Sequence, residues 1–183
     1  MNTLRNLLIG AGSAVILAGM ATAASAQSTD TDSATVSASI IQPIAITKDN
    51  DVNFGTVARP NTTGTSTIEL DPTAATSPVS VDGGTAIVQA QGSRGQFTIT
   101  GDGGRAYTLS GSTTAFNLTR TGGSETISFT PEFAVDSGTV GGLPGAAYSA
   151  ATQLLYAGGE FDITDTTVPG AYTGTMTLTV TYN

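Results

Sequence analysis

The sequence has 183 residues, with six basic against 14 acidic side chains and a formal net charge of −8. Such a surface repels nucleic-acid phosphates and anionic lipids, so neither is expected as a partner. The chain has no cysteine and no histidine, which excludes disulfides, Ser-His-Asp and Cys-His nucleophilic sites, and zinc sites built on these residues. Only carboxylates remain for catalysis, and neither a cofactor nor a metal site is predicted.

Residues 1–26 have the composition of a secretory signal peptide. Arg5 precedes an apolar run of Leu, Ile, Ala, Val and Gly, and the triplet Ala-Ser-Ala ending at Ala26 is a small-residue cleavage site. The apolar run is short for a membrane span, so we expect cleavage before Gln27 and no membrane insertion afterwards. The mature chain then has 183 − 26 = 157 residues, enough for one domain, and a charge of 5 − 14 = −9.

Residues 27–39 are predicted to form an N-terminal extension to a domain of residues 40–183. The extension begins with the polar sequence QSTDTDS and continues as ATVSASI. Four apolar residues of this second part alternate with Thr and Ser: Ala34, Val36, Ala38 and Ile40. Strict alternation predicts a half-buried strand. Pro43 interrupts it before strand-like sequence resumes at residues 44–58.

The rest of the chain alternates short β-type segments with turns. Segments rich in β-branched and aromatic residues lie at 66–71, 85–90, 95–100, 105–110, 115–120, 125–135 and 160–164. Gly-Gly pairs at 83/84, 103/104, 122/123, 141/142 and 158/159 are typical of turns. No segment has a convincing helical period, and the small residues around 146–155 indicate either a helical turn or a surface loop. We therefore predict an all-β fold, an immunoglobulin-like Greek-key β-sandwich.

The closing segment has the clearest alternation in the sequence. One face carries Tyr172, Gly174, Met176, Leu178, Val180 and Tyr182, and the other carries Ala171 and five Thr residues. This pattern predicts a long strand with no hairpin after it, whose outer edge either pairs with another segment or stays open. Either the two alternating strands near the ends of the chain pair with each other within one molecule, or each of them lies at the edge of a sheet. The pattern alone leaves both arrangements open.

The order of these segments resembles that of secreted bacterial β-sandwich proteins related to pilins. The similar parts are the signal peptide, the alternating segment, PIAIT, DVNFGTV and the terminal GAYTGTMTLTVTY. The greatest similarity is to an uncharacterised domain-of-unknown-function family with this Phe-Gly start and Gly-x-Tyr-x-Gly ending. Spore-coat-protein-U-like and archaic chaperone-usher pilin families are more distantly similar. The chain differs from many pilins in lacking a disulfide, and it has Ala34 and Ala38 where donor segments often have Gly.

The resemblance implies an incomplete sandwich that is completed by a donor strand. The implied donor residues are Ala34, Val36, Ala38 and Ile40. The implied acceptor groove is bordered by Tyr172, Met176, Leu178, Val180 and Tyr182. The implied function is that of a structural subunit of a surface fibre, a pilus or fimbria. Its implied partners are identical subunits joined head to tail, after passage through the periplasm with a chaperone and an outer-membrane usher.

Two other functions stay open on the sequence. A closed monomeric sandwich, acting as a secreted binding module or surface-coat protein, would stack sugars on exposed aromatic residues. The candidates are Tyr107, Tyr148 and Tyr156. A glycosidase-like enzyme would need two paired carboxylates. The candidates are Glu125, Glu132 and Asp162. Because no spacing singles out two of them, a non-enzymatic role is predicted.

Overall fold

A computed structural model describes residues 29–76, 78–135, 138–139 and 152–183. The predicted signal peptide, the Gly141–Gly142 pair and Tyr148 lie outside these residues. In the described ranges every regular element is a β-strand. Within the same ranges no helix is long and apolar enough to cross a bilayer. The prediction of an all-β fold is confirmed.

The strands follow one another at short intervals. In chain order they are β1 (Ala45–Asn50), β2 (Thr56–Ala58), β3 (Thr65–Leu70), β4 (Val79–Asp82), β5 (Ile87–Ala90), β6 (Gly95–Thr100), β7 (Tyr107–Gly111), β8 (Phe116–Arg120), β9 (Thr126–Val135), β10 (Gly138–Thr139), β11 (Thr152–Thr164), β12 (Tyr172–Thr173) and β13 (Leu178–Tyr182). The segments predicted from β-branched and aromatic residues form β3, β5 to β9 and the second part of β11.

The largest sheet is built around the long strand β11. Its main order is β1-β6-β11-β9-β8-β12, with β10 beside β9, β3 beside β11 and β4 beside β3. One edge of β11 pairs first with β6, through Thr152–Ala157, and then with β3, through Gly159–Thr164. The other edge pairs with β9. Two smaller antiparallel pairs, β13-β7 and β2-β5, complete the structure.

Gly158 and Gly159 lie inside β11, so the prediction of a turn at this pair was wrong. They mark the point where β11 changes its partner from β6 to β3. A Cβ atom on Gly158 would lie 2.0 Å from the carbonyl oxygen of Leu70, and one on Gly159 would lie 2.1 Å from that of Thr130. The glycines therefore allow neighbouring strands to approach closely. The pairs at 83/84, 103/104 and 122/123 lie between strands, as predicted.

Two apolar clusters form the interior of a β-sandwich. In the first, β7 packs against the large sheet, and the buried residues are Phe97, Ile99, Tyr107, Leu109, Phe133, Val135, Leu155 and Ala157. In the second, the buried residues are Ile68, Leu70, Val79, Ile127 and Ile163. Val52 packs against both clusters. Because β13 also packs on the first cluster, its inward-facing side chains belong to the core.

The chain divides into a unit of residues 1–38 and a unit of residues 39–183. The described part of the first unit, residues 29–38, contains no strand, and each of its residues is exposed. The predicted strand at residues 34–40 is therefore not formed in the described structure. A strand requires a partner for its backbone N–H and C=O groups, and no described strand pairs with these residues.

Candidate functional site: an apolar cleft beside the C-terminal strand

An open cleft of about 1120 Å³ lies between two segments of the domain. Residues 50–59 line one side and residues 167–176 line the other. The floor consists of apolar side chains from β6, β8, β9 and β11: Phe97, Phe116, Leu118, Ile127, Phe129, Phe161 and Ile163. The volume exceeds the range of about 300–1,000 Å³ that is usual for small-molecule pockets. Both its size and its two long borders suit an extended peptide segment.

Four phenylalanines form an aromatic cluster in this cleft. The ring centroid of Phe54 lies 4.7 Å from that of Phe161 and 5.8 Å from that of Phe129. The centroids of Phe116 and Phe129 are 5.2 Å apart. All three contacts have the edge-to-face geometry that aromatic pairs prefer. Only Phe129 is fully buried, so the other three rings leave apolar surface uncovered.

The Phe-Gly motif places Phe54 in the cluster. Gly55 has a positive φ of 71°, and a Cβ atom there would lie 2.1 Å from the carbonyl oxygen of Ala90 on β5. The side chain of Asn53 accepts a hydrogen bond of 2.7 Å from the backbone N–H of Gly55. The backbone of Asn53 also pairs with Ser93. Glycine is needed here because a side chain would push β2 away from β5.

The backbone of the C-terminal segment is paired along one edge only. The carbonyl of Ala171 accepts a hydrogen bond of 2.8 Å from the N–H of Thr121, and that of Thr177 accepts one of 2.8 Å from Ser112. In an antiparallel ladder, alternate residues direct both backbone groups to the same partner. The backbone N–H and C=O groups of the odd-numbered residues therefore point toward β8 and β7. Those of the even-numbered residues point to the opposite edge: Tyr172, Leu178, Val180 and Tyr182. Among the described residues no strand pairs with this second edge.

The predicted acceptor residues fall into two groups. Tyr172 and Met176 line the cleft. Leu178, Val180 and Tyr182 lie beyond its lining, and they pack against the first core cluster, as Met176 also does. The C-terminal end of β13 also contacts an earlier part of the chain, because the hydroxyl of Tyr182 donates a hydrogen bond of 2.9 Å to the carbonyl of Gln42. The structure thus places the open part of the predicted groove at the Tyr172 end.

Sequence reasoning missed the opposite wall and the aromatic floor. Five of the six phenylalanines line the cleft, yet they come from four strands and one loop. The DVNFGTV motif is the one sequence signal that pointed to this region. The remaining floor residues become neighbours only through the order of strands in the sheet.

Polar contacts surround the apolar floor of the cleft. A guanidinium nitrogen of Arg59 donates a hydrogen bond of 2.9 Å to the carbonyl of Thr167, which joins the two walls. The hydroxyl of Tyr172 donates to the carbonyl of Val168 at 2.7 Å. Lys48 forms an exposed ion pair of 2.6 Å with Asp51 on the rim. The cleft therefore has a polar rim above an apolar floor.

The predicted donor residues expose their apolar side chains to solvent. Val36 is 94% exposed and Ile40 is 96% exposed. Ala34 and Ala38 are also exposed. Apolar side chains at this level of exposure are available for burial against a partner.

The aromatic residues proposed for sugar stacking are not displayed together. Tyr107 is 2% exposed and its hydroxyl donates a hydrogen bond to the side-chain oxygen of Gln153, so the expectation that it is exposed was wrong. Tyr156 is half-buried, and the guanidinium of Arg94 lies 3.5 Å from the centroid of its ring. Tyr107 therefore offers no exposed ring for sugar stacking, and Arg94 covers one face of the Tyr156 ring.

The candidate carboxylates are likewise dispersed. Glu132 lies on β9 and Glu125 lies just before it, seven residues away, a distance of about 23 Å in an extended strand, whereas glycosidase pairs are about 5–10 Å apart. Asp162 accepts a hydrogen bond of 2.6 Å from the hydroxyl of Thr67. Glu125 pairs with Arg120 at 2.8 Å, and this ion pair lowers the pKa of Glu125 to about 2. No group of three possible metal ligands occurs in the described ranges.

No curated protein and no solved structure matches the chain. A match is found to the family described as Domain of unknown function (DUF4402), over residues 44–182. The matched region includes both walls of the cleft and its floor, and it begins after the predicted donor residues. Because this region covers most of the chain, the protein belongs to the DUF4402 family.

Proposed function

We propose that the protein is a structural subunit of a surface fibre, in which each copy donates residues 34–40 to the apolar cleft of the next copy. The observation that carries this proposal is the unpaired edge of residues 171–182, whose even-numbered backbone groups face away from β7 and β8 beside an apolar floor. An added strand supplies both missing components: hydrogen-bonding groups for the edge and apolar side chains for the floor.

Simple energetics show under which condition such an exchange is favourable. Burial of Val36 and Ile40 contributes about 1.5–3 kcal/mol each. Each new ladder hydrogen bond adds about 1 kcal/mol, whereas ordering the segment costs about 1–2 kcal/mol per residue. These opposing values are similar in size. Donation is therefore strongly favourable only when it also stabilises the fold of the receiving domain, which is the expected effect of filling a cleft in its core.

The proposed partners follow from the same cleft. Identical copies joined head to tail give an open chain and not a closed ring. Before assembly, an uncovered apolar cleft promotes aggregation, so a temporary occupant is needed. By analogy with the chaperone-usher pilins that the sequence resembles, we assign this role to a periplasmic chaperone, with an outer-membrane usher as the site of assembly. The proposed destination is the cell surface.

The proposal is tested by placing charges on one face of the donor segment. In the double variant Val36→Asp with Ile40→Asp, two carboxylates would enter the apolar cleft, so fibres seen by electron microscopy should be lost and monomers should remain. The matched control is Ser37→Asp with Ser39→Asp, which adds the same charge on the other face. This control should still assemble.

Unchanged fibres in the first variant would refute strand donation by residues 34–40. A wild-type chain that stays a stable monomer and binds glycans would instead support the closed binding module. Folding of each variant is verified by its β-type circular dichroism spectrum, so that a misfolded variant is not mistaken for a failure to assemble.

A further inference from the structure

We infer that the donor segment binds antiparallel to the C-terminal segment in one register: Ile40 opposite Tyr172, Ala38 opposite Gly174 and Val36 opposite Met176. This inference rests on the proposed function and specifies its geometry. It follows from four features of the cleft: the parity of its open edge, its length, the crowding at Gly174 and the position of Gln42.

Inward-pointing and exposed side chains alternate along the edge, and this alternation allows only every second register. Met176, Leu178 and Val180 are half-buried, whereas Thr175, Thr177 and Thr179 are exposed, so the even-numbered side chains point inward. Directly opposite residues of an antiparallel pair project to the same face. The apolar donor residues must therefore lie opposite even-numbered residues. A slip by one residue would direct Thr35, Ser37 and Ser39 into the apolar floor.

The length of the cleft selects the part of the edge that receives the donor. Residues 167–176 line the cleft, and the inward-facing residues Leu178, Val180 and Tyr182 beyond them pack against the first core cluster, as Met176 at the end of the lining also does. The inferred register sets residues 34–40 against residues 172–178. A shift of two residues toward Asn183 would take Val36 past the lining, and a shift of two residues the other way would place Ile40 opposite Gly170, before Ala171, where the backbone pairing of this segment begins.

The cleft wall is crowded at Gly174, and the inferred register sets an alanine of the donor opposite this position. A Cβ atom on Gly174 would lie 2.7 Å from a methyl group of Leu118 and 3.1 Å from the ring of Phe116. This crowding favours a small residue opposite Gly174, and Ala38 meets that condition. On either side, the larger Ile40 then pairs with an aromatic residue, a favourable cross-strand combination, and Val36 pairs with Met176.

The position of Gln42 favours the antiparallel direction. Its carbonyl is held by the hydroxyl of Tyr182, so each donor segment leaves its own domain near the C-terminal end of β13. In parallel docking, Ile40 of the donor copy would lie toward the C-terminal end of the receiving copy's β13. Gln42 of the donor, two residues further on, would then crowd the Gln42 that the receiving copy already holds at this end. Antiparallel docking places Ile40 ten residues away from that end, about 33 Å along an extended strand. All strand pairs of the described domain are also antiparallel.

Disulfide trapping tests direction and register, because the chain contains no cysteine of its own. All the positions used are exposed: Thr35, Ser39, Thr173, Thr175 and Thr177. In the inferred register, opposite odd-numbered residues form non-hydrogen-bonded pairs with Cα atoms about 4.5 Å apart, a distance that a disulfide spans. Full-length double variants assembled into fibres are oxidised, and the cross-linked products are separated on a non-reducing gel.

Two variants should give a ladder of covalent multimers: Ser39→Cys with Thr173→Cys, and Thr35→Cys with Thr177→Cys. Two matched controls exchange the partners: Thr35→Cys with Thr173→Cys, and Ser39→Cys with Thr177→Cys. A ladder in the controls alone would overturn the direction but retain strand donation. A further variant, Ser39→Cys with Thr175→Cys, tests a register shifted by two residues. If this variant gives a ladder and Ser39→Cys with Thr173→Cys gives none, the inferred register is wrong. Fibres without a ladder in any variant would overturn the inference, whereas the aspartate variants above test strand donation separately.

Discussion

At the scale of single residues, the carboxylates around Glu132 are arranged unfavourably. Loss of surrounding water raises the pKa of Glu132, and the negative charges of Glu69, Asp71 and Glu160 raise it further. Glu69 and Glu160 also lie directly opposite each other on β3 and β11. Like charges in such a pair repel, so the ionised cluster destabilises the sheet at neutral pH.

We therefore predict that Glu132→Gln is more stable than the wild type at pH 7. A raised pKa means that the stability associated with the protonated form is present below the ordinary value of 4.5 and is lost as the pH rises through the raised value. Because the side chain is exposed and screened by solvent, the gain should be below about 1 kcal/mol. Urea unfolding at pH 7 and pH 4 measures it. A gain of the same size at both pH values would contradict the explanation.

The opposite dependence is expected for Glu125, whose pKa is lowered to about 2 by hydrogen bonds from Arg120 and from nearby backbone N–H groups. Its ionised form stabilises the folded state above the ordinary value of 4.5, and this contribution is lost as the pH falls toward 2. Glu125→Gln should therefore be less stable than the wild type at pH 7, with the difference shrinking at pH 3. Thermal melts measure it, and Asp51→Asn, in the exposed pair with Lys48, is the control. A difference that grows at low pH would refute this assignment.

At the scale of elements, β11 depends on glycine where it changes partner. Gly159 has a positive φ of 139°, and a Cβ atom there would also lie 2.9 Å from the ring of Phe129. Gly64 has a similar φ of 147°, but no atom lies within 4 Å of its hypothetical Cβ. The two positions thus separate backbone strain from steric overlap.

We predict that Gly159→Ala destabilises the domain more than Gly64→Ala does. Both substitutions incur backbone strain of about 1–3 kcal/mol. Overlap with the neighbouring strand adds about 1–3 kcal/mol at Gly159 alone. Chemical denaturation of the two variants measures the difference. Equal losses of stability would show that the close approach of β9 to β11 is unimportant.

Local alternation predicted most strands but not their partners. Residues 95–100 were predicted from their pattern and form β6. The closing strand was predicted as continuous over residues 171–182, whereas β12 and β13 are separate because the first pairs with β8 and the second with β7. The pattern of side chains specifies which face is buried, and it carries no information about which strand lies alongside. The first part of β11, from Thr152 to Gly159, was missed because the small residues around 146–155 suggested a helical turn or loop and the pair Gly158–Gly159 suggested a turn.

The same limit applies to the cleft. Tyr172 and Met176 were placed at the groove because the wall is one alternating segment that can be read along the chain. Phe116, Phe129 and Phe161 come from different strands, so their meeting depends on the order β11-β9-β8. That order arises from long-range pairing, which single-sequence patterns do not encode.

At the scale of the whole molecule, the domain holds a large apolar cleft without the support of any disulfide. Filling the cleft should therefore stabilise the fold as a whole. We predict that, in the non-assembling variant Val36→Asp with Ile40→Asp, attaching a wild-type copy of residues 28–40 after Asn183 through a flexible linker raises the melting temperature by about 5–10 °C, since 1 kcal/mol corresponds to about 2–4 °C at this size. The extended chain should remain monomeric. Calorimetry and size-exclusion chromatography measure both effects.

The matched control carries Asp in the attached copy at the positions that correspond to Val36 and Ile40. It has the same length and linker but lacks the apolar face, so its melting temperature should equal that of the non-assembling variant without an attached copy. Equal melting temperatures in all three chains would mean that the attached segment does not enter the cleft.

The one-sided pairing of the C-terminal segment has a kinetic consequence. The amide protons of Thr179 and Thr181 are held in the ladder with β7, whereas those of Leu178 and Val180 face the edge with no strand partner in the described structure. Deuterium should therefore replace them at rates that alternate from one residue to the next along a single strand. When a second strand binds that edge, the fast amides slow to the rate of their neighbours, and the alternation disappears.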